Sequence, residues 1–423
     1  MKEDVGVGEL LDHLFRRQSA QIVSTLTRAL GVRHLALAEE AVQDALVTAM
    51  QQWPFRGVPD DPAAWLFRVA RNRALDRLRH QRIVDEKAPA IADCTPWHVS
   101  AGAESVLARE TPPLADDQLA MMFLTCHPEL PRDSRVALTL KIVGGFSVGE
   151  IGRALLVHEG AIAQRLVRAK RVLRDRNIEF APPSASDLSE RLDSVLDAIY
   201  LLFNEGYAAT AGDSLLREDM SAEAIRLAGL VVRHPVTAVP RSWALLALLL
   251  LHAARFGARV SSDGELFLLR DQDRRRWDRT LISEGLRALE RAAAGDCLSS
   301  YHLEAEIAAC HALAPTWADT DWPRIVHCYE QLASITGSPV VALNRAIARA
   351  QVDGARAAIA EIEQLRDVVS LRHYHLLPAV LAELWRELGH PERAAAHYRE
   401  ALTEPLSLPE RRFLTSRLRS LTA

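Results

Sequence analysis

The stretch Glu159-Gly160-Ala161-Ile162-Ala163-Gln164-Arg165-Leu166-Val167-Arg168-Ala169-Lys170-Arg171 carries side chains that could read DNA. Ile162, Leu166, Ala169 and Leu173 recur at i, i+4, i+7 and i+11, which makes one apolar helix stripe. The opposite face presents Ala161, Gln164, Arg165, Arg168 and Arg171. An arginine can donate two hydrogen bonds to guanine and a glutamine can pair with adenine, so this face suits the major groove. Just before it, Ser147-Val148-Gly149-Glu150 has the S-x-x-E form of a capping box and starts a helix with Val148, Ile151 and Leu155 on its inner face. With a turn at Leu156-Val157-His158, the two segments read as a helix-turn-helix. Lys170, Arg174 and Arg176 stand where they would reach phosphates. The competing reading is a solvated basic helix packed on a helical hairpin.

A second basic helix lies upstream, in Trp65-Leu66-Phe67-Arg68-Val69-Ala70-Arg71-Asn72-Arg73-Ala74-Leu75-Asp76-Arg77-Leu78-Arg79. Its spacing packs Leu66, Val69, Ala70 and Leu78 and displays Arg68, Arg71, Arg73, Arg77 and Arg79. Aromatic rings beside arginines suit stacking on separated bases while guanidiniums hold the backbone. The plainer expectation is that at least one of Trp65 and Phe67 is core. An acidic-faced helix, Ala38 to Leu46, precedes this segment.

These segments need elements to hold them, and the apolar spacing is helical almost everywhere, so the chain reads as all-α. The 423 residues divide into a helical block over 10–82, an acidic, proline-bearing linker over 83–113, a second helical block over 114–178, and a long helical series over 187–423. Hydrophobic residues at 49% and charged residues at 25% suit a folded globular chain rather than a disordered one. The longest apolar run, Trp243 to Leu251, falls short of the ~20 residues a membrane span requires. No signal layout opens the chain, so a cytoplasmic location without membrane association is expected. Five cysteines without a CxxC pair suit a reducing compartment. Cys310-His311 and His327-Cys328 read as buried side chains rather than zinc ligands, because adjacent helical residues diverge. Net charge is −4, but 24 lysines and arginines stand against 23 acids up to residue 180 and 27 against 32 after it, with the early basic residues bunched into two helices.

In the last part, Ala382, Trp385, Gly389, Ala394, Tyr398 and Ala401 fit the small, aromatic and turn positions of a tetratricopeptide repeat. A weaker copy lies about 36 residues earlier, with Ala346, Asp353-Gly354, Ala358 and Ile362. Stacked helix pairs and a solenoid-like domain are expected. Asn204-Glu205-Gly206-Tyr207, His252 with Arg255, and Asp271-Gln272-Asp273 are the candidate regulatory residues here. A histidine and an arginine extending an apolar helix need partners, and Glu205 or Asp271 and Asp273 could supply them. An internal salt-bridge network is the first expectation and a ligand pocket the second. A helical metalloenzyme using His252, Glu205 and Asp271 is the remote alternative, with no E-x-x-H pair among them to back it.

The two basic segments and the acidic helix closely resemble the sigma-70 family of RNA polymerase sigma factors, in its extracytoplasmic-function subgroup. Ala38 to Leu46 looks like region 2.2, Trp65 to Arg79 like regions 2.3 and 2.4, and Glu159 to Arg171 like the recognition helix of region 4.2. The tail resembles that of the branch with a C-terminal tetratricopeptide-like extension. The resemblance implies a transcription initiation factor rather than an enzyme, without cofactor or metal, with RNA polymerase core (its beta and beta-prime subunits) and promoter DNA as partners. It implies that Glu40, Gln43, Asp44 and Leu46 dock on the polymerase, that Trp65, Asn72, Arg73, Arg77 and Arg79 engage the −10 element as it melts, and that Gln164, Arg165, Arg168 and Arg171 read the −35 element. The extension would modulate activity through a protein or peptide partner. Two positions depart from the family: Leu156 replaces a turn glycine and His158 a capping serine. The rival is a one-component helix-turn-helix regulator with a ligand- or peptide-sensing repeat domain, which would leave the region-2-like block unexplained.

Overall fold

The computed structural model describes residues 18–87, 114–176 without 156, 178, 180, 185–207, 218–261 and 266–422 without 296, 373 and 405. Among these no strand occurs, and one isolated antiparallel bridge joins Val260 to Leu266. The all-α expectation holds. No helix of the described residues is long and apolar enough to cross a membrane. The chain forms two compact units, 1–198 and 199–423.

In the first unit, α1 (18–30) turns through a 3₁₀ segment, Val32–His34, into α2 (Leu35–Arg56), and α3 (Pro62–Lys87) packs back on α2. Leu35, Ala38, Val42, Ala45 and Trp53 of α2 and Leu66, Ala70 and Ala74 of α3 are all buried. Of the expected packed residues Leu66 and Ala70 are fully buried, and Val69 and Leu78 less so. Both are half-buried, and Ala74 joins the fully buried residues of α3. Next come α4 (Leu114–Thr125), α5 (Arg132–Ile142), α6 (Val148–Ala154) and α7 (Glu159–Asp175). Asp117 of α4, 2% exposed, receives Arg28 at 2.8 Å and the Thr25 hydroxyl at 3.0 Å, both from α1. Burying a carboxylate is costly unless paired, so this contact ties α1 to α4 in one geometry.

The helix α8 (Ala185–Tyr207) starts in the first unit, where Arg191 donates to the Phe123 carbonyl. The second unit continues with α9 (Glu218–Arg233), α10 (Pro240–Ala253), α11 (Arg279–Ala292) and α12 (Ser300–Leu313). Leu245, Ala247, Leu248, Leu249 and Leu251 are all buried, so α10 is surrounded on every side, by α9, α11 and α12 among others. Beyond it each helix packs on the next: α13 (Trp322–Thr336), α14 (Pro339–Asp353), α15 (Ala355–Glu363), α16 (Leu376–Glu387), α17 (Pro391–Leu402) and α18 (Leu408–Thr422). The repeat positions act as expected. Ala382, Ala394, Tyr398 and Ala401 share one core, Ala346, Ala358 and Ile362 are buried in the preceding pair, and both turns are made by glycines at positive φ, 87° at Gly354 and 75° at Gly389.

Candidate nucleic-acid interface

Ser147 and Glu150 form the expected reciprocal cap: the Ser147 amide donates to Glu150 at 2.8 Å and the Glu150 amide to the Ser147 hydroxyl at 3.2 Å. The turn closes because Gly152 has no Cβ. One there would fall 2.7 Å from the Val157 carbonyl oxygen, and the Val157 amide donates to the Gly152 carbonyl at 2.8 Å. Leu156 itself lies outside the described residues. The second departure is resolved chemically. His158 caps α7 through Nδ1, which accepts from the Gly160 amide at 3.1 Å, the task of a serine oxygen.

On α7 the stripe Ile162, Leu166, Ala169 and Leu173 is buried. Gln164, Arg168 and Arg171 are exposed, and Arg165 is half-buried with its guanidinium 3.8 Å from Asp133. Arg171 also meets Asp175 at 3.2 Å, an exposed pair that DNA could displace at little cost. Val167 stands among them at 68% exposure and was not singled out in the sequence. The missed signal was an apolar residue on the polar face, in register with Gln164 and Arg171, where a thymine methyl could be met. Lys170 corrects the phosphate expectation. It is turned toward α2, and its ammonium lies 2.5 Å from Glu39 with both side chains largely covered. Arg174 meets Asp175 at 2.9 Å, and Arg176 comes within 3.8 Å of Glu129.

On α3, Arg68, Asn72, Arg73 and Arg79 are exposed. Trp65 is half-buried, its ring set edge-on to Trp53 with centroids 5.4 Å apart, so one face of the indole is structural. Arg77 is not displayed to solvent alone: it donates to Glu40 at 2.5 Å and to Asp44 at 2.7 Å. Thus two expected polymerase contacts and one expected DNA contact neutralise one another in the free chain. Gln43 is exposed and Leu46 half-buried on α2. The same helix exposes Val47, Met50 and Phe55, the last at 89%, which sequence reading missed. Apolar side chains left in water on an outward helix face mark a contact surface.

The candidate regulatory residues are not one cluster. Asp273 caps its own 3₁₀ turn and pairs with Arg275 at 2.9 Å, and Asp271 is 3.4 Å from Arg417. Neither supplies His252 or Arg255, which corrects the expectation for these two aspartates. Tyr207 meets both, its hydroxyl accepting from Arg255 at 2.7 Å and its ring meeting the His252 imidazole edge-on at 5.0 Å. Burial, with Arg255 and Arg259 close by, holds the His252 pKa well below its ordinary value. Asn204 bonds to the Tyr200 hydroxyl, and Glu205 is buried. Among the described residues no three His, Cys, Asp or Glu side chains converge as metal ligands.

Residues 14–83 match the family described as sigma-70 region 2, residues 120–173 the family described as sigma-70 region 4, and residues 191–293 a family of unknown function. The RNA polymerase sigma factor CarQ of Myxococcus xanthus is 31% identical over 173 residues, 40% of this chain and 90% of CarQ. The ECF RNA polymerase sigma factor SigM of Mycobacterium tuberculosis (strain ATCC 25618 / H37Rv) is 31% identical over 163 residues, 38% of this chain and 72% of SigM. A Rhizobium meliloti (strain 1021) protein of uncharacterised function is 38% identical over 412 residues, 95% of either chain.

Proposed function

Because this chain belongs to the sigma-70 family of RNA polymerase sigma factors, in the extracytoplasmic-function subgroup, we propose a division of its work among the surfaces just described. The protein binds RNA polymerase core and directs it to promoter DNA, where transcription starts. A factor with these partners works in the cytoplasm and requires no catalysis of its own.

The outward face of α2, with Glu40, Gln43, Asp44 and Leu46 flanked by Val47, Met50 and Phe55, takes the polymerase. Trp65, Asn72, Arg73, Arg77 and Arg79 engage the −10 element. A half-buried indole can cap an unstacked base while the guanidiniums hold phosphates. Gln164, Arg165, Arg168 and Arg171, with Val167, read the −35 element in the major groove. The observation that carries this assignment is α7 itself, whose apolar stripe is wholly buried while Gln164, Val167, Arg168 and Arg171 share the exposed face. The C-terminal helical unit modulates activity.

The test is reconstitution. Full-length protein should associate with core enzyme and give a run-off transcript from a cognate promoter, and a chain cut after residue 183 should change the yield without moving the start site. Promoter binding by the protein alone, with no association to core, would replace this reading by that of a one-component regulator. An unchanged yield from the shortened chain would remove the modulating role.

A further inference from the structure

The second unit contains a cavity of about 370 Å³ that none of the promoter or polymerase surfaces uses. Its walls come from the segment Leu266–Arg270, from α12 to α14, and from α16 and α18. Leu268, Trp317, Trp322, Tyr329 and Phe413 give it an apolar, aromatic lining. Trp317 and Trp322 meet edge-on at 4.5 Å, and the His311 ring stacks beside Trp317 at 6.2 Å. Such a volume and lining are typical of small-molecule sites, in which a few polar groups fix orientation.

The polar groups define the ligand. His311 is 7% exposed, lines the cavity, and its Nδ1 has no hydrogen-bond partner among the described residues. A buried polar atom left unpaired costs free energy that a ligand group can recover. Burial together with Arg255 and Arg274 pushes the His311 pKa down to about 3, so the ring is neutral and a cation beside it would meet the same positive field. At the other end the charges are already matched: Arg270 is held by Glu383 and Glu387, and His375 donates toward Glu410 at 3.2 Å. An anion there would face carboxylates. Asn344 adds one amide to the wall.

We propose that this cavity binds an uncharged, largely aromatic small molecule whose carbonyl or hydroxyl group hydrogen-bonds to the His311 imidazole. The inference goes beyond the promoter reading and does not depend on it, because the binding measurement needs neither polymerase nor DNA.

The experiment is a fluorescence titration of the full-length protein with Prodan, an uncharged naphthalene ketone. Saturable one-to-one binding with a blue-shifted emission is expected. Ala379→Phe projects a ring from the half-buried wall of α16 into the cavity and should weaken binding about tenfold or more. His311→Phe keeps the ring shape and removes the nitrogen, and should weaken binding about three- to tenfold. Helical circular dichroism and the melting temperature verify that each variant is folded, and Val380→Trp, from the same wall, serves if either is not. Non-saturable uptake, wild-type affinity in the folded variants, or tighter binding of the anionic anilinonaphthalene sulfonate than of Prodan would each overturn the proposal.

Discussion

Arg77 bridges two carboxylates one helical turn apart on the neighbouring helix, Glu40 at 2.5 Å and Asp44 at 2.7 Å. All three side chains are at least 40% exposed, and exposed ion pairs contribute about 1 kcal/mol or less. Arg77→Ala should therefore leave urea stability within about 1 kcal/mol of wild type. If Arg77 engages the −10 element, the same variant should lose about 1–3 kcal/mol in promoter opening, read by permanganate reactivity of the melted strand. Equal opening by variant and wild type would leave Arg77 with only its structural pairing.

On the upstream side the half-buried Arg165, near Asp133, and the exposed Arg168 should behave differently. Arg168→Ala is expected to cost about 1–3 kcal/mol on the cognate −35 element and much less on scrambled upstream DNA. Competition binding of holoenzyme to the two DNAs measures this. Equal losses on both would demote Arg168 to a phosphate contact.

Phe55 is 89% exposed, so Phe55→Ser should not lower the melting temperature. It should weaken association with core enzyme by about 2 kcal/mol if Phe55 anchors the contact, roughly a thirtyfold rise in Kd. A titration of labelled core with the folded variant decides the matter, and an unchanged Kd would move the polymerase contact elsewhere on α2.

Acid should loosen the second unit in a definite direction. The unfolded His311 takes up a proton near pH 6.5, whereas the folded one resists down to about pH 3, because it is buried and near Arg255 and Arg274. Between these values the unfolded chain binds more protons, so stability is full above pH 6.5 and falls as pH drops, by at most about 1.4 kcal/mol per pH unit for this group. His252 acts with the same sign. Glu410 adds to the loss once pH passes below its ordinary value of 4.5. Burial raises its pKa, but hydrogen bonds from His375 and Ser407 outweigh that and hold it at about 2. Thermal melts between pH 7 and pH 5 should show a shallower decline for His311→Phe than for wild type.

Glu383, 15% exposed, receives Arg270, Arg386 at 2.8 Å and the Tyr398 hydroxyl at 2.5 Å. Glu383→Ala strands those donors around a largely buried site and should cost about 3 kcal/mol or more, seen as a lower denaturation midpoint. A loss below about 1 kcal/mol would mean that solvent replaces the carboxylate.

What could be read from sequence was whatever one helix decides alone. The stripe Ile162, Leu166, Ala169 and Leu173 is a matter of spacing, and the repeat register of Ala382, Gly389 and Tyr398 is marked by a turn glycine; both are observed. Where two helices decide together, the reading failed. Buried Ala74 was not among the residues that the spacing put on the packed face of α3, and Tyr207, not Asp271 or Asp273, meets Arg255, 48 positions further along the chain. The Arg77 bridge and the turn of Lys170 toward Glu39 are likewise tertiary, since nothing near either residue in the chain foretells its partner.

The tie between Lys170 and Glu39 has a consequence in length. Elements centred 10 and 35 base pairs upstream of a start site lie about 25 steps apart, or roughly 85 Å at ~3.4 Å per step. A compact body of the first unit's size has a radius of gyration of only about 16 Å. On the proposed assignment α3 and α7 would have to move apart to reach both elements, which would break the pairs of Lys170 with Glu39 and of Arg28 with Asp117. Those two ionic contacts are where such an opening would be resisted, and their loss is the change to look for when the chain meets a promoter.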